Sequence, residues 1–252
     1  MHSLLTAVLK TIFVFVFLAV ALLPKEGRAE EKPVDSLQDT IAAILTSFGG
    51  KASVDAVKSV AAKGTISDFM KGIEGEYARY YARPLKLRIE IMSDLGGEVR
   101  VLNGTRGWQG NTTVLKEAKP ISVQSMLYQY TYLDLPMGFA DSSVSVTYGG
   151  KTELNGRSHI LLHVETAGAP KLRVFVDPKK HLIVRVAADF NMGMGSSELA
   201  TEYEDFRLVG KVLFPFRLIN YAGNMKLSVI TLADIKVNAV IPDTFFSQNL
   251  GE

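Results

Sequence analysis

The chain predicts a mainly β fold with a few helices (α+β), built on one large antiparallel sheet that is curled or closed. Three observations carry this. Residues 75–92 alternate with period two, Leu85, Leu87, Ile89 and Ile91 falling on one face and Lys86, Arg88 and Glu90 on the other. Short apolar runs separated by turn signals continue from residue 96 to residue 235. Helical spacing is confined to the start of the mature chain and to one mid-chain stretch.

Taken in order, residues 1–29 read as a signal peptide. An apolar run over 12–23 follows Lys10, and Gly27-Arg28-Ala29 places small residues at the −3 and −1 positions of a cleavage site. The run is short for a membrane span, which needs about 20 apolar residues. An uncleaved anchor is the alternative reading. The leader holds Lys10, Lys25 and Arg28 against Glu26, so it carries the whole formal net charge of +2. The remainder, residues 30–252, is electrically balanced, which leaves no electrostatic case for nucleic acid or for an anionic membrane surface. With no cysteine in the chain, disulfides and thiol chemistry are excluded and the exported chain rests on its hydrophobic core. Residues 30–252 read as a single domain, with no linker and no repeat.

Asp35 or Ser36 can cap a first helix whose apolar positions are Ile41, Ile44, Leu45 and Phe48, stopped by Gly49-Gly50. A second helix is expected from Ser53, with Val54, Val57 and Val60 on one stripe and Gly64 closing the helical zone. In residues 75–92 Pro84 lacks an N–H for a sheet ladder and marks a break between two strands. Val99 and Val101 follow Gly96-Gly97, then a tight turn at residues 103–107 leads into Trp108. Further strands are expected at 144–148, 151–154, 160–165, 172–176, 182–190, 199–208, 213–221 and 225–235, about ten in all.

Residues 120–139 interrupt this meander. Pro120 suits a helix start, and Met126, Leu127, Tyr128, Tyr130, Tyr132, Leu133, Leu135, Met137 and Phe139 make the segment too apolar for a solvated loop. Two readings are open: a helix packed as core on the dry face of the sheet, or a plug sharing a cavity with an apolar ligand.

The residues assemble no catalytic centre, and the chain is read as a non-enzyme without cofactor or metal. His159 and His163 would suit a metal on a helix, but on a strand they lie about 13 Å apart and read as structural. Glu202 and Glu204 share the wet face of a strand opposite Tyr203. Residues 191–196 lack the lysine of a phosphate loop and read as a hairpin tip.

Over most of residues 35–247 the chain resembles the periplasmic outer-membrane lipoprotein-sorting (LolA-like) family. The residues that carry the resemblance are an N-terminal helix, a strand ending Arg83-Pro84, Val101-Leu102-Asn103-Gly104 running into Trp108, and the mid-chain apolar helix. They continue with Asp177…Leu182-Ile183-Val184, Asp205-Phe206…Phe214-Pro215 and Asn238…Ile241-Pro242-Asp243-Thr244-Phe245-Phe246. The resemblance implies an unclosed antiparallel β-barrel, or strongly curled sheet, with helices covering its concave face and acyl chains held beneath them. It implies that Arg83 latches the helical lid by hydrogen bonds; from its place before Pro84, Arg83 is expected to hold backbone carbonyls of residues 133–139, with a surface ion pair to a nearby carboxylate as the alternative. The chain departs from the family in its tyrosine-rich lid and in a longer strand before Arg83.

On this reading the chain is a monomeric periplasmic carrier of lipoprotein acyl chains or lipid, with transfer partners at the inner and outer membranes. Leu85, Leu87, Ile89, Ile91, Val99, Val101, Met126, Tyr130, Leu133 and Met137 line its cavity. The alternative is a non-catalytic structural or interaction protein whose concave face its own helices fill. An open apolar pocket on that face discriminates the two. N-terminal sequencing of the chain from a soluble periplasmic fraction is expected to begin at Glu30; a full-length chain in the membrane fraction would establish the anchor instead.

Overall fold

The computed structural model describes residues 36–191 and 195–248, so the expected leader and cleavage site, and the tip of the expected 191–196 hairpin, lie outside the described residues. Two short helices open the domain: α1 (Leu37–Ser47), whose N-cap Ser36 accepts a hydrogen bond from the Asp39 N–H, and α2 (Lys51–Asp55). Six strands follow: β1 (Ser59–Asp68), β2 (Ile73–Ala82), β3 (Lys86–Ser93), β4 (Gly96–Asn103), β5 (Arg106–Gly110) and β6 (Leu115–Glu117). Helices α3 (Pro120–Asp134) and α4 (Met137–Ala140) come next. Seven more strands complete the sheet: β7 (Ser145–Leu154), β8 (Arg157–Glu165), β9 (Leu172–Val176), β10 (Ile183–Asn191), β11 (Ser196–Val209), β12 (Val212–Ala222) and β13 (Met225–Val237). A 3₁₀ turn, Asp243–Phe246, ends the described chain.

All strands form one 13-stranded sheet in the order β6-β5-β4-β3-β2-β1-β13-β12-β11-β10-β9-β8-β7. Every neighbour is a hairpin partner except β1 and β13, which join the two halves antiparallel. The two edges are therefore β6 and β7, and the chain between them is α3 and α4. That link has to travel from one edge to the other, and it does so over the inner face.

The sheet curls around α3. Tyr130 of α3 lies 5.3 Å from the Tyr81 ring on β2, while Tyr132 lies 6.3 Å from the Tyr203 ring on β11. Four strand spacings separate β2 from β11, about 19 Å on a flat sheet, more than one helix spans. The largest core cluster accordingly draws on α1, α2, α3 and α4 and on inward positions of both halves, among them Leu87, Ile89, Ile91, Leu162, Val186, Leu218 and Ile230.

Several sequence expectations need correction. The helical zone ends at Asp55, and Val60 belongs to strand β1. Gly64, read as a terminator, sits mid-strand at a register shift, where a Cβ would lie 2.0 Å from the Thr231 carbonyl oxygen. A glycine inside a strand marks close backbone approach as readily as an end. The expected strands 144–148 and 151–154 are one strand, β7, irregular between Tyr148 and Gly150, and the short β6 was not expected. Leu85 is not on the strand: it occupies the β2–β3 turn with φ 51°, half-buried against the main core.

The largest correction concerns the outer face. Val101 pairs with Arg88 and Val99 with Glu90, so both valines face away from Leu87, Ile89 and Ile91. They form a separate core with Trp108, Leu115 and Phe246, under the C-terminal 3₁₀ turn. Arg88, expected on a wet face, is only 5 % exposed. Its guanidinium lies 4.4 Å from the Phe245 ring centroid, donates to the Phe245 carbonyl and pairs with Glu90 at 2.6 Å. Asn103 donates to the Phe246 carbonyl at 3.2 Å. Phe246→Ala is expected to lower unfolding free energy by about 3–5 kcal/mol, because this ring fills the outer core. Arg88→Asp is expected to destabilise as well, by setting a second carboxylate beside Glu90. Urea unfolding midpoints check both, and values within a few tenths of a kcal/mol of the wild type would refute the clamp.

Candidate functional site

The inner face is occupied by α3. Met126, Leu127, Tyr128, Tyr130, Thr131, Tyr132 and Asp134 are all buried, so from Met126 onward the helix serves as core on most sides, while Pro120, Ile121 and Gln124 of its first turns are exposed. Tyr128 reaches polar partners, as a buried hydroxyl prefers. The Tyr128 hydroxyl sits 3.4 Å from the Val186 and Leu199 carbonyls and from Thr201 Oγ1. Tyr203 donates to the Tyr132 carbonyl at 3.3 Å.

Two cavities flank the helix. One, of about 230 Å³, is bounded by Ile66, Tyr77, Ile89, Ile91, Tyr128 and Tyr132. The other, of about 40 Å³, lies beside Phe48, Arg79, Tyr81, Leu133, Tyr203 and Phe214. Tyr132 borders both. Ligand pockets commonly run from about 300 to 1,000 Å³. In this closed arrangement an acyl chain needs α3 to move.

The residues proposed from sequence divide accordingly. Ile89 and Ile91 border the larger cavity and Leu133 the smaller. Leu87, Met126, Tyr130 and Met137 are buried in the core around α3. Leu85 packs on that core from its turn, while Val99 and Val101 lie on the opposite face.

Arg83 sits at the C-terminal end of α3, with its side chain 8 % exposed. Its partners are not the backbone carbonyls expected. Nε is 2.7 Å from Asp134 Oδ1, close as an ion pair but off the N–H direction. Nη2 is 2.8 Å from Asp141 Oδ2 and donates to Ser143 Oγ at 3.0 Å. Tyr81 donates its hydroxyl to Asp134. The ion pairs thus tie the end of β2 to the end of α3 and to the residue after α4. Burial, the strongest influence, lifts the Asp134 carboxyl to about 6, against the opposing pull of Arg83 and the Tyr81 hydrogen bond. Burial and the nearby Asp134 push the Tyr81 hydroxyl well above its ordinary value.

Sequence reasoning missed Asp134, Asp141, Tyr81 and Arg79. A signal was present for two of them. Asp134 is the only carboxylate in the α3 sequence, and Arg79 alternates with Tyr77 and Tyr81 on one face of β2. His159 and His163 lie on β8, and among the described residues no three metal-ligating side chains cluster. Glu202 and Glu204 pair with Arg185 and Arg217, as a solvated face allows.

No protein-family model matches the chain, and no curated protein sequence matches it. Solved structures do. A domain named for outer membrane lipoprotein sorting, from Vibrio parahaemolyticus, superposes with a TM-score of 0.54 at 9% identity, over 79% of this chain and 94% of that one. A LolA superfamily protein from Nitrosomonas europaea gives 0.52 at 13%, over 81% and 96%. A DUF1329 family protein from Desulfovibrio piger gives 0.52 at 11%, over 85% and 98%. The chain has the LolA-like fold. At these identities the likeness is one of architecture: an unclosed, curled antiparallel sheet with helices against its inner face.

The buried ion pair generates a pH-dependent expectation. Asp134 titrates near 6 in the folded chain against an ordinary 3.8. Between those values the folded state holds the extra proton, so this group's contribution to stability falls as pH rises through the window and is flat above it. Arg83→Leu strands the Asp134 carboxylate and extends the window upward. At pH 7 the variant is expected to lose about 3–5 kcal/mol, the usual effect of removing one partner of a buried pair. At pH 5, with Asp134 protonated, the loss is expected to be smaller. Urea unfolding at the two pH values checks this, and an equal loss at both would exclude an ionised Asp134 as the partner that matters.

Proposed function

We propose that the protein is a periplasmic carrier that holds an apolar ligand, a lipid or a lipoprotein acyl chain, against the inner face of the sheet beneath α3. The observation that supports this best is the position of α3. It covers an apolar trough, is flanked by two cavities and is tethered at its end through Arg83. Lifting the helix would expose the aliphatic floor of Leu87, Ile89 and Ile91 together with the tyrosines of α3 itself. Helix and ligand would compete for the same apolar area, each gaining about 25 cal/mol per Å² buried. Arg83 would act as the latch, its ion pairs to Asp134 and Asp141 favouring the closed state. Export through cleavage after Ala29, and hand-over between inner- and outer-membrane partners, complete this reading. No helix among the described residues is long and apolar enough to cross a membrane.

One observation favours a second reading. The helix is buried on nearly all sides, so a structural or interaction protein with a self-filled face would look the same when closed. Lipid extraction and mass spectrometry of the native protein separate the two. A carrier is expected to yield acyl-chain lipids, and amide exchange across residues 126–139 is expected to change when lipid is stripped. A lipid-free preparation with unchanged exchange would establish the self-filled reading.

A further inference from the structure

Most buried or half-buried arginines of the sheet are met by a carboxylate. Arg83 faces Asp134, Arg88 faces Glu90, Arg100 faces Glu98, and Arg185 faces Glu198 and Glu202. Arg79 differs. It is 4 % exposed, it makes no ion pair among the described residues, and its Nη1 has no hydrogen-bond partner there. Arginine is almost never fully buried unless paired, because a guanidinium stripped of water needs a counter-charge.

The position of Arg79 is specific. On β2 it pairs across to Ala62 on β1 and Ile89 on β3, both members of the main core, so it projects to the inner face. Tyr77, Tyr132 and Tyr203 lie close enough to feel its charge. Its head borders the 40 Å³ cavity, whose other walls are largely aromatic and aliphatic. A space of this size admits a small polar group, since one water needs roughly 10–15 Å³. It does not admit a chain. The larger cavity, of mixed polar and apolar lining, meets the smaller one at Tyr132.

We propose that Arg79 is the counter-charge for the polar end of the ligand, and that the ligand is therefore an anionic single-chain amphiphile bearing carboxylate or phosphate oxygens. The guanidinium fork matches such oxygens, and Tyr132 borders the same cavity beside it. The acyl tail occupies the trough beneath α3. This inference rests on the carrier reading and adds the chemistry of the head group.

The test uses the chain from Glu30 onward, stripped of lipid, and measures direct binding of a fluorescent long-chain fatty acid, its methyl ester, and a lysophosphatidate of the same chain. Inorganic phosphate alone is the arm without a tail. The wild type is expected to bind the acid or the lysophosphatidate about tenfold or more tighter than the ester, the range of a charge-assisted hydrogen bond. Whichever anion binds tighter assigns the head group. Arg79→Met is expected to bring the anionic ligands to the level of the ester, leave the ester unchanged and leave Tm unchanged or higher. Arg79→Lys is expected to keep part of the preference. An anion-to-ester ratio unchanged in Arg79→Met overturns the proposal while leaving the carrier reading intact. A marked fall in Tm in Arg79→Met with no preference in the wild type assigns the arginine to the fold and also overturns it. Inorganic phosphate binding as tightly as the amphiphiles makes a free anion the ligand and overturns the amphiphile. Failure of all three chain-bearing probes to bind the wild type overturns the carrier reading itself.

Discussion

The link between the two edges of the sheet is the constraint on which the rest of the fold depends. A sheet that begins at β6 and ends at β7, with sequential hairpins everywhere else, leaves only residues 118–144 to pass between its edges. The inner face of that sheet is apolar and has to be covered. A link running over it therefore has to be apolar too, which is why α3 is buried on most sides from Met126 onward. The sheet in turn curls so that both halves touch the one helix, Tyr130 meeting Tyr81 and Tyr132 meeting Tyr203. Helices α1 and α2 extend the same layer: Phe48 packs on Phe206 at 6.1 Å, and Lys51 donates to the Ala140 carbonyl.

Filling the trough with tyrosine rather than leucine brings polar atoms inside, and each requires an answer. Tyr128 is answered by strand carbonyls and Thr201, Tyr203 by the Tyr132 carbonyl, and Tyr81 by Asp134. Asp134 in turn draws in Arg83, which also engages Asp141. The result is a charge-paired polar knot at one end of the layer. Among the described residues Arg79 is the fully buried charge that no carboxylate meets. Low local dielectric makes the knot strong and makes an unpaired buried charge costly, and both effects bear on how firmly the closed state is held.

The outer face follows a different logic. Strands β4 and β5 turn Val99, Val101 and Trp108 to this face, and the C-terminal 3₁₀ turn folds back over them with Phe246 as its plug. Arg88 stacks against Phe245 and so converts a nominally solvated position into part of a clamp. Residues 241–246, which carry much of the resemblance at the C-terminus, thus serve the stability of the sheet rather than the trough.

The sequence by itself determined the parts whose physics is local. Period-two alternation marked nearly every strand, Ser36 and Pro120 marked helix starts by capping and by a fixed φ, and the apolar run from Met126 to Phe139 marked the segment that had to be covered. The family resemblance, rather than local physics, pointed to Arg83 as a contact of the lid end. Tertiary structure alone decided what depends on which segments meet. Alternation says that a strand has two faces, but not that a segment more than a hundred residues later will cover the second, so Val99, Val101 and Arg88 could not be assigned. Nor does it reveal that Arg83 meets Asp134 and Asp141 rather than carbonyls, since those carboxylates come near only when the link between the edges is folded over the sheet. Burial of a charge is a property of everything packed around it, and for Arg79 that environment comes from strands β1, β2, β3 and β11 and from helix α3 at once.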